Sequence, residues 1–134
     1  MKKMVGKILV AFLWMWASPW TLAGLLVGLL GLATGGGAQR RGRVLEFYGG
    51  AVEKILALLP VGPTALTLGH VILGRTPATL AVARRHEMVH VAQYERWGPL
   101  FVPAYLACSA VLWLARKDAY RDNPFEREAF AKAP

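Results

Sequence analysis

Apolar positions are grouped into three long stretches, and the charged residues lie before, between and after them. The first stretch, residues 8–39, contains no charged residue, and its most apolar part is residues 8–33. That part is long enough for one transmembrane helix, which needs about 20 residues. Pro19 lies inside it and predicts a kink. The alternative is two short helices that meet near Ser18 and Pro19.

The start of the chain also has the features of a secretory signal peptide, because Lys2 and Lys3 suit its basic first region. However, the apolar run is longer than the usual signal core of about 7–15 residues, and no clear small-x-small cleavage pattern ends it. The sequence therefore favours a retained membrane anchor in residues 1–34. A linker rich in glycine and arginine, residues 35–43, is expected to follow it.

Short strands and helices are predicted after the linker. Residues 44–48 have the composition of a strand, and residues 51–59 have that of a helix that stops at Pro60. The second apolar stretch, residues 65–74, predicts one strand with apolar residues on both faces.

The clearest helix signal begins at Thr76 and Pro77. Threonine is a favoured N-cap, and proline suits the first helical position. The helix is expected to run to about Trp97, because Gly98 and Pro99 form a stop signal.

The third apolar stretch, residues 97–115, precedes a charged tail in which Asn123 and Pro124 predict the start of a last helix. A complete crossing of the bilayer would put this tail on the opposite side from the preceding helix. Two prolines shorten the usable helix to residues 104–115, roughly 18 Å, whereas the bilayer core is about 30 Å thick. We therefore expect this segment to pack beside the anchor or to enter one leaflet.

Composition and charge favour a membrane over a nucleic acid as the partner. Hydrophobic residues make up 55% of the chain, and 16 basic against 8 acidic residues give a net charge of +8. The basic residues flank the apolar stretches, which suits lipid headgroups better than a nucleic-acid groove. The single cysteine, Cys108, excludes an intrachain disulfide and a cysteine-type zinc cluster.

The candidate chemistry lies in the predicted helix, where residues 86–90 read His-Glu-Met-Val-His, an HExxH pattern. Residues four apart share one face of a helix, so His86 and His90 can reach the same ion. Zinc accepts neutral imidazole nitrogens, and in this motif the intervening Glu87 serves as general base. Two alternatives stay open: ordinary polar residues on an amphipathic helix, and half of a di-iron site, for which no second Glu-x-x-His exists.

A catalytic zinc usually has three protein ligands, so a third ligand is required. The candidates are His70, Glu126 and Glu128. His70 in an apolar strand is more often satisfied locally. Glu126 has an alternative role, because the third helical residue after an Asn123 cap can bond back to that cap. Gln93, seven residues after His86, either holds a histidine or is a solvated polar residue.

Residues 86–93, read with the later segment Asn-Pro-Phe-Glu-Arg-Glu-Ala, resemble the gluzincin class of zinc metallopeptidases, in particular its small membrane-associated members. The resemblance covers about residues 65–131. It implies that His86 and His90 are zinc ligands, that Glu87 is the general base and that Glu126, in a Glu-x-x-Ala context, is the third ligand. It also implies that the strand near residues 65–74 pairs with extended substrate. Phe130 departs from the class, which often has aspartate there.

The sequence as a whole predicts an α+β, mostly helical fold. It would comprise the N-terminal anchor helix, a small sheet of short strands, the HExxH helix and C-terminal helices, with residues 44–134 as a minimal zinc metallopeptidase-like domain. The expected function is zinc-dependent hydrolysis of a peptide or protein substrate by an integral protein of a bacterial cytoplasmic membrane, in contact with lipid and without nucleic acid. The alternatives are a non-catalytic membrane protein with a structural or regulatory metal site, and an adaptor without metal.

Overall fold

The computed structural model describes residues 1–134 and contains six α-helices and one four-stranded sheet, which confirms the predicted α+β, mostly helical fold. The helices are α1 (Lys2–Ala17), α2 (Trp20–Ala33), α3 (Gly50–Leu58), α4 (Pro77–Trp97), α5 (Phe101–Leu114) and α6 (Pro124–Lys132). The strands are β1 (Gly37–Arg41), β2 (Val44–Tyr48), β3 (Ala65–Leu68) and β4 (Val71–Gly74).

The sheet has the strand order β1-β2-β4-β3 and is mixed. The central strands β2 and β4 are parallel, and each pairs antiparallel with an edge strand. Both central strands are rich in buried apolar residues, as expected for strands covered on two faces. Phe47 and Val71 pack toward α2 and α3, whereas Val44 and Ile72 pack toward α4. The core therefore has three layers, with the sheet between two sets of helices.

The N-terminal segment differs from the predicted anchor and linker in two ways. It forms two helices bent by 89° at Ser18 and Pro19, as in the alternative prediction, and the second helix packs on the sheet. Residues 37–41 form the edge strand β1 and not an irregular linker, because they pair along the whole length of β2. The glycine- and arginine-rich composition of this segment did not indicate a strand, because an edge strand needs few apolar side chains.

Helix α2 approaches the sheet through glycine. Gly24, Gly28 and Gly31 are buried, and a Cβ on Gly28 would lie 2.5 Å from the ring of Phe47. The opposite side of α2 exposes its leucines: Leu22, Leu26, Leu29 and Leu30. This helix is therefore covered by protein on one side and leaves an apolar surface on the other.

The predicted single strand at residues 65–74 is wrong, because it is a hairpin of β3 and β4. Gly69 turns the chain with φ of +64°, a conformation that residues with a side chain rarely adopt. A Cβ at this position would also collide with Thr21 of α2. The hairpin makes β3 an edge strand of the sheet.

Helix α4 begins and ends as predicted. The Thr76 hydroxyl accepts a hydrogen bond from the Thr79 N–H, and the Thr79 hydroxyl accepts one from the Thr76 N–H. These reciprocal bonds satisfy two donors that the first turn would otherwise leave unpaired. At the other end Gly98 adopts a positive φ of +59° and stops the helix.

Two partly buried ion pairs fix α4 on either side of the HExxH segment. The fully buried carboxylate of Glu46 on β2 accepts two hydrogen bonds from Arg84, at 2.8 and 2.9 Å. Beyond the motif, Glu95 accepts two hydrogen bonds from Arg43, at 2.7 and 2.9 Å. Bidentate pairs of this kind fix orientation as well as distance, so the rotation of α4 against the sheet is set at both ends.

The chain after α5 folds back along that helix. Asn123 donates from Nδ2 to the Tyr105 carbonyl and to the Ser109 hydroxyl, and Ser109 donates to the Ala119 carbonyl. With 14 residues α5 is about 21 Å long, shorter than a bilayer core of about 30 Å. Helix α6 therefore returns to pack against α4.

Gly28→Ala should destabilise the protein by about 1–3 kcal/mol, because the added methyl group overpacks the contact with Phe47. The matched control is Gly6→Ala in α1, where nothing lies within 4 Å of the new Cβ. The measurement is unfolding in detergent micelles, followed by circular dichroism. Equal stability of the two variants would contradict this account of the packing of α2.

Candidate metal centre

The two histidines of the HExxH segment and one glutamate of α6 meet at one point. Glu126 Oε1 lies 2.5 Å from His90 Nε2 and 3.4 Å from His86 Nε2. One potential ligand atom from each residue lies within 4.8 Å of the others. His90 and Glu126 are buried and His86 is partly buried. The structure thus brings together the three residues that the sequence predicts as metal ligands.

The cap of α6 explains how Glu126 reaches this point. Asn123 Oδ1 accepts a hydrogen bond from the Phe125 N–H, so Asn123 is the predicted N-cap. The Asn123 N–H donates to the Tyr120 carbonyl and not to Glu126. The Glu126 carboxylate therefore faces the histidines, and the alternative in which it bonds back to the cap is not seen.

The Glu126 carboxylate fits a cation. Burial alone would raise its pKa, but hydrogen bonds from His86 and His90 outweigh that effect and hold the pKa at about 2. Its second oxygen, Oε2, is buried and has no hydrogen-bond partner. A buried carboxylate oxygen without a partner is costly in a folded protein. Two imidazoles and a carboxylate are also a donor set that zinc accepts, so these residues fit that metal.

Gln93 fixes which nitrogen of His90 faces Glu126. The Gln93 side-chain amide donates from Nε2 to the Phe125 carbonyl at 2.9 Å and to Glu128 Oε1 at 2.7 Å. Its Oε1 therefore faces His90 and accepts a hydrogen bond from the Nδ1–H of His90 at 2.8 Å. With Nδ1 used in this way, Nε2 is the nitrogen left for a metal, which is the usual arrangement around metal-binding histidines.

Glu87 lies beside the cluster and has its own positioning partner. Its Oε2 accepts a hydrogen bond of 2.6 Å from the Thr67 hydroxyl on β3. No local signal in the sequence points to Thr67, because a short apolar strand does not indicate which element 20 residues later it will contact.

The other two ligand candidates lie elsewhere. His70 is fully buried, contacts Glu95 at 2.7 Å through Nε2 and stacks on Trp14 with ring centroids 5.5 Å apart. This is the local role that the sequence favoured for it. Glu128 accepts hydrogen bonds from Gln93 and Arg96 and stands outside the cluster.

Phe130 contributes a ring where the resembled class often has a carboxylate. Its centroid lies 4.6 Å from that of His86, so it packs against this histidine. No carboxylate other than Glu126 contacts His86 among the ion pairs of the structure. His86 is therefore held by packing, whereas His90 is held by the Gln93 hydrogen bond.

A cavity of about 740 Å³ opens onto the cluster. His86, Glu87, His90 and Glu126 form its polar side. Much of the remaining wall comes from β3, α5 and the turn before β3. Its size is in the usual range of small-molecule and peptide sites. The wall includes Tyr120, whose pKa is raised to about 12 by burial and by the nearby Glu126 charge.

No protein-family description, no curated protein and no solved structure matches this chain.

The purified protein should bind one zinc ion, and His86→Ala or Glu126→Ala should lose it, because each removes one of three converging ligands. Glu128→Ala is the comparison: it removes a glutamate two residues away that contacts Gln93 and not the histidines, so it should keep zinc, with at most a weaker affinity. Metal content after dialysis gives the result. Zinc retained by Glu126→Ala and lost by Glu128→Ala would overturn the assignment.

Gln93→Ala should weaken zinc binding by about 10–100-fold, because His90 loses the acceptor that fixes its ring. Gln39→Ala, which removes a glutamine bonded to Glu46 at the far edge of the sheet, should leave zinc affinity unchanged. Competition with a chromogenic chelator measures both affinities. Identical affinities would show that Gln93 does not position the ring.

Proposed function

We propose that this protein is a membrane-associated, zinc-dependent metallopeptidase with His86, His90 and Glu126 as the metal ligands and Glu87 as the general base. The observation that carries the proposal is the convergence of the Glu126 carboxylate on both HExxH histidines, with Glu87 beside them. The resemblance of residues 86–93 and 123–129 to gluzincins supports the same assignment.

Zinc bound by these three residues would polarise the scissile carbonyl and lower the pKa of a water molecule. Glu87 would accept the proton of the attacking water and pass it to the leaving amine. The Thr67 hydroxyl holds one oxygen of Glu87 at 2.6 Å and leaves the other free for this transfer. Burial of Glu87 in the cavity wall keeps that transfer away from bulk water.

The edge strand β3 supports a peptide as the substrate. The Arg75 N–H donates a hydrogen bond to the Thr64 carbonyl. In an antiparallel pair, alternate residues of a strand bond to the neighbouring strand. The backbone groups of Ala65 and Thr67 therefore point away from β4. The Tyr94 hydroxyl donates a hydrogen bond to the Thr67 carbonyl. The Ala65 N–H and C=O and the Thr67 N–H remain for an added strand, and this strand lines the cavity.

Exposed apolar helices support attachment to a membrane. Residues 77–114, and α1 with α2 as a bent pair, have the length and apolar composition of membrane segments. The apolar part of residues 77–114 is α5, which is long enough to enter the bilayer and too short to cross it. Lys7 of α1 shares a groove with Arg40 and Arg43 near β1 and β2. Basic residues that precede and follow the first apolar stretch in the sequence thus lie together in space. Such a cluster suits anionic lipid headgroups.

The alternative function is a non-catalytic membrane protein with a structural or regulatory metal site. Such a site closes with four protein ligands. His70 and Glu128, the remaining candidates from the sequence, are used in other contacts. A site with three protein ligands keeps a position for water and substrate, which favours the enzyme.

Glu87→Gln should abolish peptide hydrolysis while zinc content stays at one per chain, because the amide keeps its place beside Thr67 but cannot take a proton. Glu53→Gln, on α3 and outside the cavity, is the control and should keep full activity. Turnover of a quenched fluorescent peptide library by protein in detergent gives the rates. Undiminished hydrolysis by the Glu87 variant would show that Glu87 is not the general base.

A further inference from the structure

The cavity is charged only at the reaction site. Glu87 and Glu126, with the two histidines, are its only titratable groups of acidic or imidazole type, and no lysine, arginine or aspartate lines it. Apart from the proposed zinc ion, the cavity wall has no cation that could bind a substrate carboxylate or phosphate. It therefore suits neither the free C-terminus of a peptide nor a phospholipid headgroup.

The mouth of the cavity is apolar and exposed on three separate elements. Val61 lies in the turn before β3, Val82 on α4 and Leu106 on α5, with 78%, 87% and 59% of their surfaces exposed. Exposed apolar residues that line a cavity on several sides mark a surface that binds an apolar partner. In water these apolar side chains would stay hydrated, which is unfavourable, and burial against an apolar partner would remove that cost.

The apolar mouth continues onto the outer surface of α5. Leu106 belongs both to the cavity wall and to this helix. The helix carries no charge, and Phe101 is its only buried residue. Its other large exposed residues are Val111, Trp113 and Leu114. An uncharged helix with one fully buried residue and an exposed apolar side suits hydrocarbon on that side, so the cavity opens beside a surface that suits lipid.

We propose, building on the function above, that the cavity receives an apolar, extended segment of another polypeptide directly from the bilayer. The segment would add to β3 through the Ala65 and Thr67 backbone groups, with its side chains against Val61, Val82 and Leu106. A substrate of this class needs no charged recognition group, in agreement with the cavity wall. The partner is thus a membrane-inserted peptide segment, cleaved away from its C-terminus.

The test uses the full chain with Glu87→Gln, which binds substrate without turnover, reconstituted in phosphatidylcholine and phosphatidylglycerol vesicles. The probe is a membrane-inserted leucine- and valine-rich peptide with a central Gly-Ser break and a photo-crosslinking residue next to it. A soluble serine- and glutamine-rich peptide with the same crosslinker is the comparison. We expect crosslinks from the apolar peptide alone, mapped to β3 and to α4 near Val82.

Val82→Glu, added to this background, should lower the crosslinking yield about tenfold or more, because a carboxylate at the apolar mouth must be desolvated when the peptide binds. The control is Ala81→Glu, which adds the same charge on the same helix outside the cavity. Circular dichroism verifies that both variants fold. Val82 is almost fully exposed, so its replacement leaves the core intact.

Equal crosslinking of the soluble peptide, or an undiminished yield with Val82→Glu, would overturn the inference. Crosslinking of a photoactivatable phospholipid into the same cavity in place of the peptide would also overturn it, in favour of a lipid occupant. Zinc content and turnover of wild-type protein are measured in parallel. Specific crosslinks without turnover would refute the peptidase while upholding the binding site, so the two proposals fail separately.

Discussion

The structure depends on how α4 is fixed against the sheet. Glu46 is completely buried and is neutralised by Arg84, and Glu95 is shared between Arg43 and His70. Removing either arginine would leave a buried or largely buried carboxylate without its partner, which is destabilising. The histidines lie between these two anchoring points, so the face they present is set by contacts outside the motif. The preorganisation of the candidate metal centre follows from this constraint.

The metal centre is assembled from local and distant parts. The spacing of His86 and His90 is a property of any helix, but the third carboxylate reaches them only because the chain reverses beside α5 and caps α6 at Asn123. Gln93 joins both parts, since it contacts His90 on its own helix and the α6 backbone at Phe125. The same contact that orders a ligand therefore also holds the two ligand-bearing helices together.

Local signals in the sequence predicted the elements that depend on local physics. The cap at Thr76, the stop at Gly98 and the helix start at Asn123 are all present, because capping involves residues close in sequence. The β3–β4 turn was missed, since Gly69 lies within a continuous apolar run that shows no break in period. Glu126 was preferred to Glu128 only through the family resemblance, because local sequence does not set the rotation of α6, which depends on distant packing.

Helix α2 meets two different surroundings along its length. On the sheet side, hydrogen is the only side chain that the distance to the strands allows at Gly24 and Gly28. On the outer side the leucines are about half exposed or more, so residues of similar hydrophobicity could replace them. In related chains the sequence should therefore vary on the outer side of this helix and be conserved on the side that faces the sheet. That one-sided pattern would identify homologues of this protein even where the rest of their sequences can no longer be aligned.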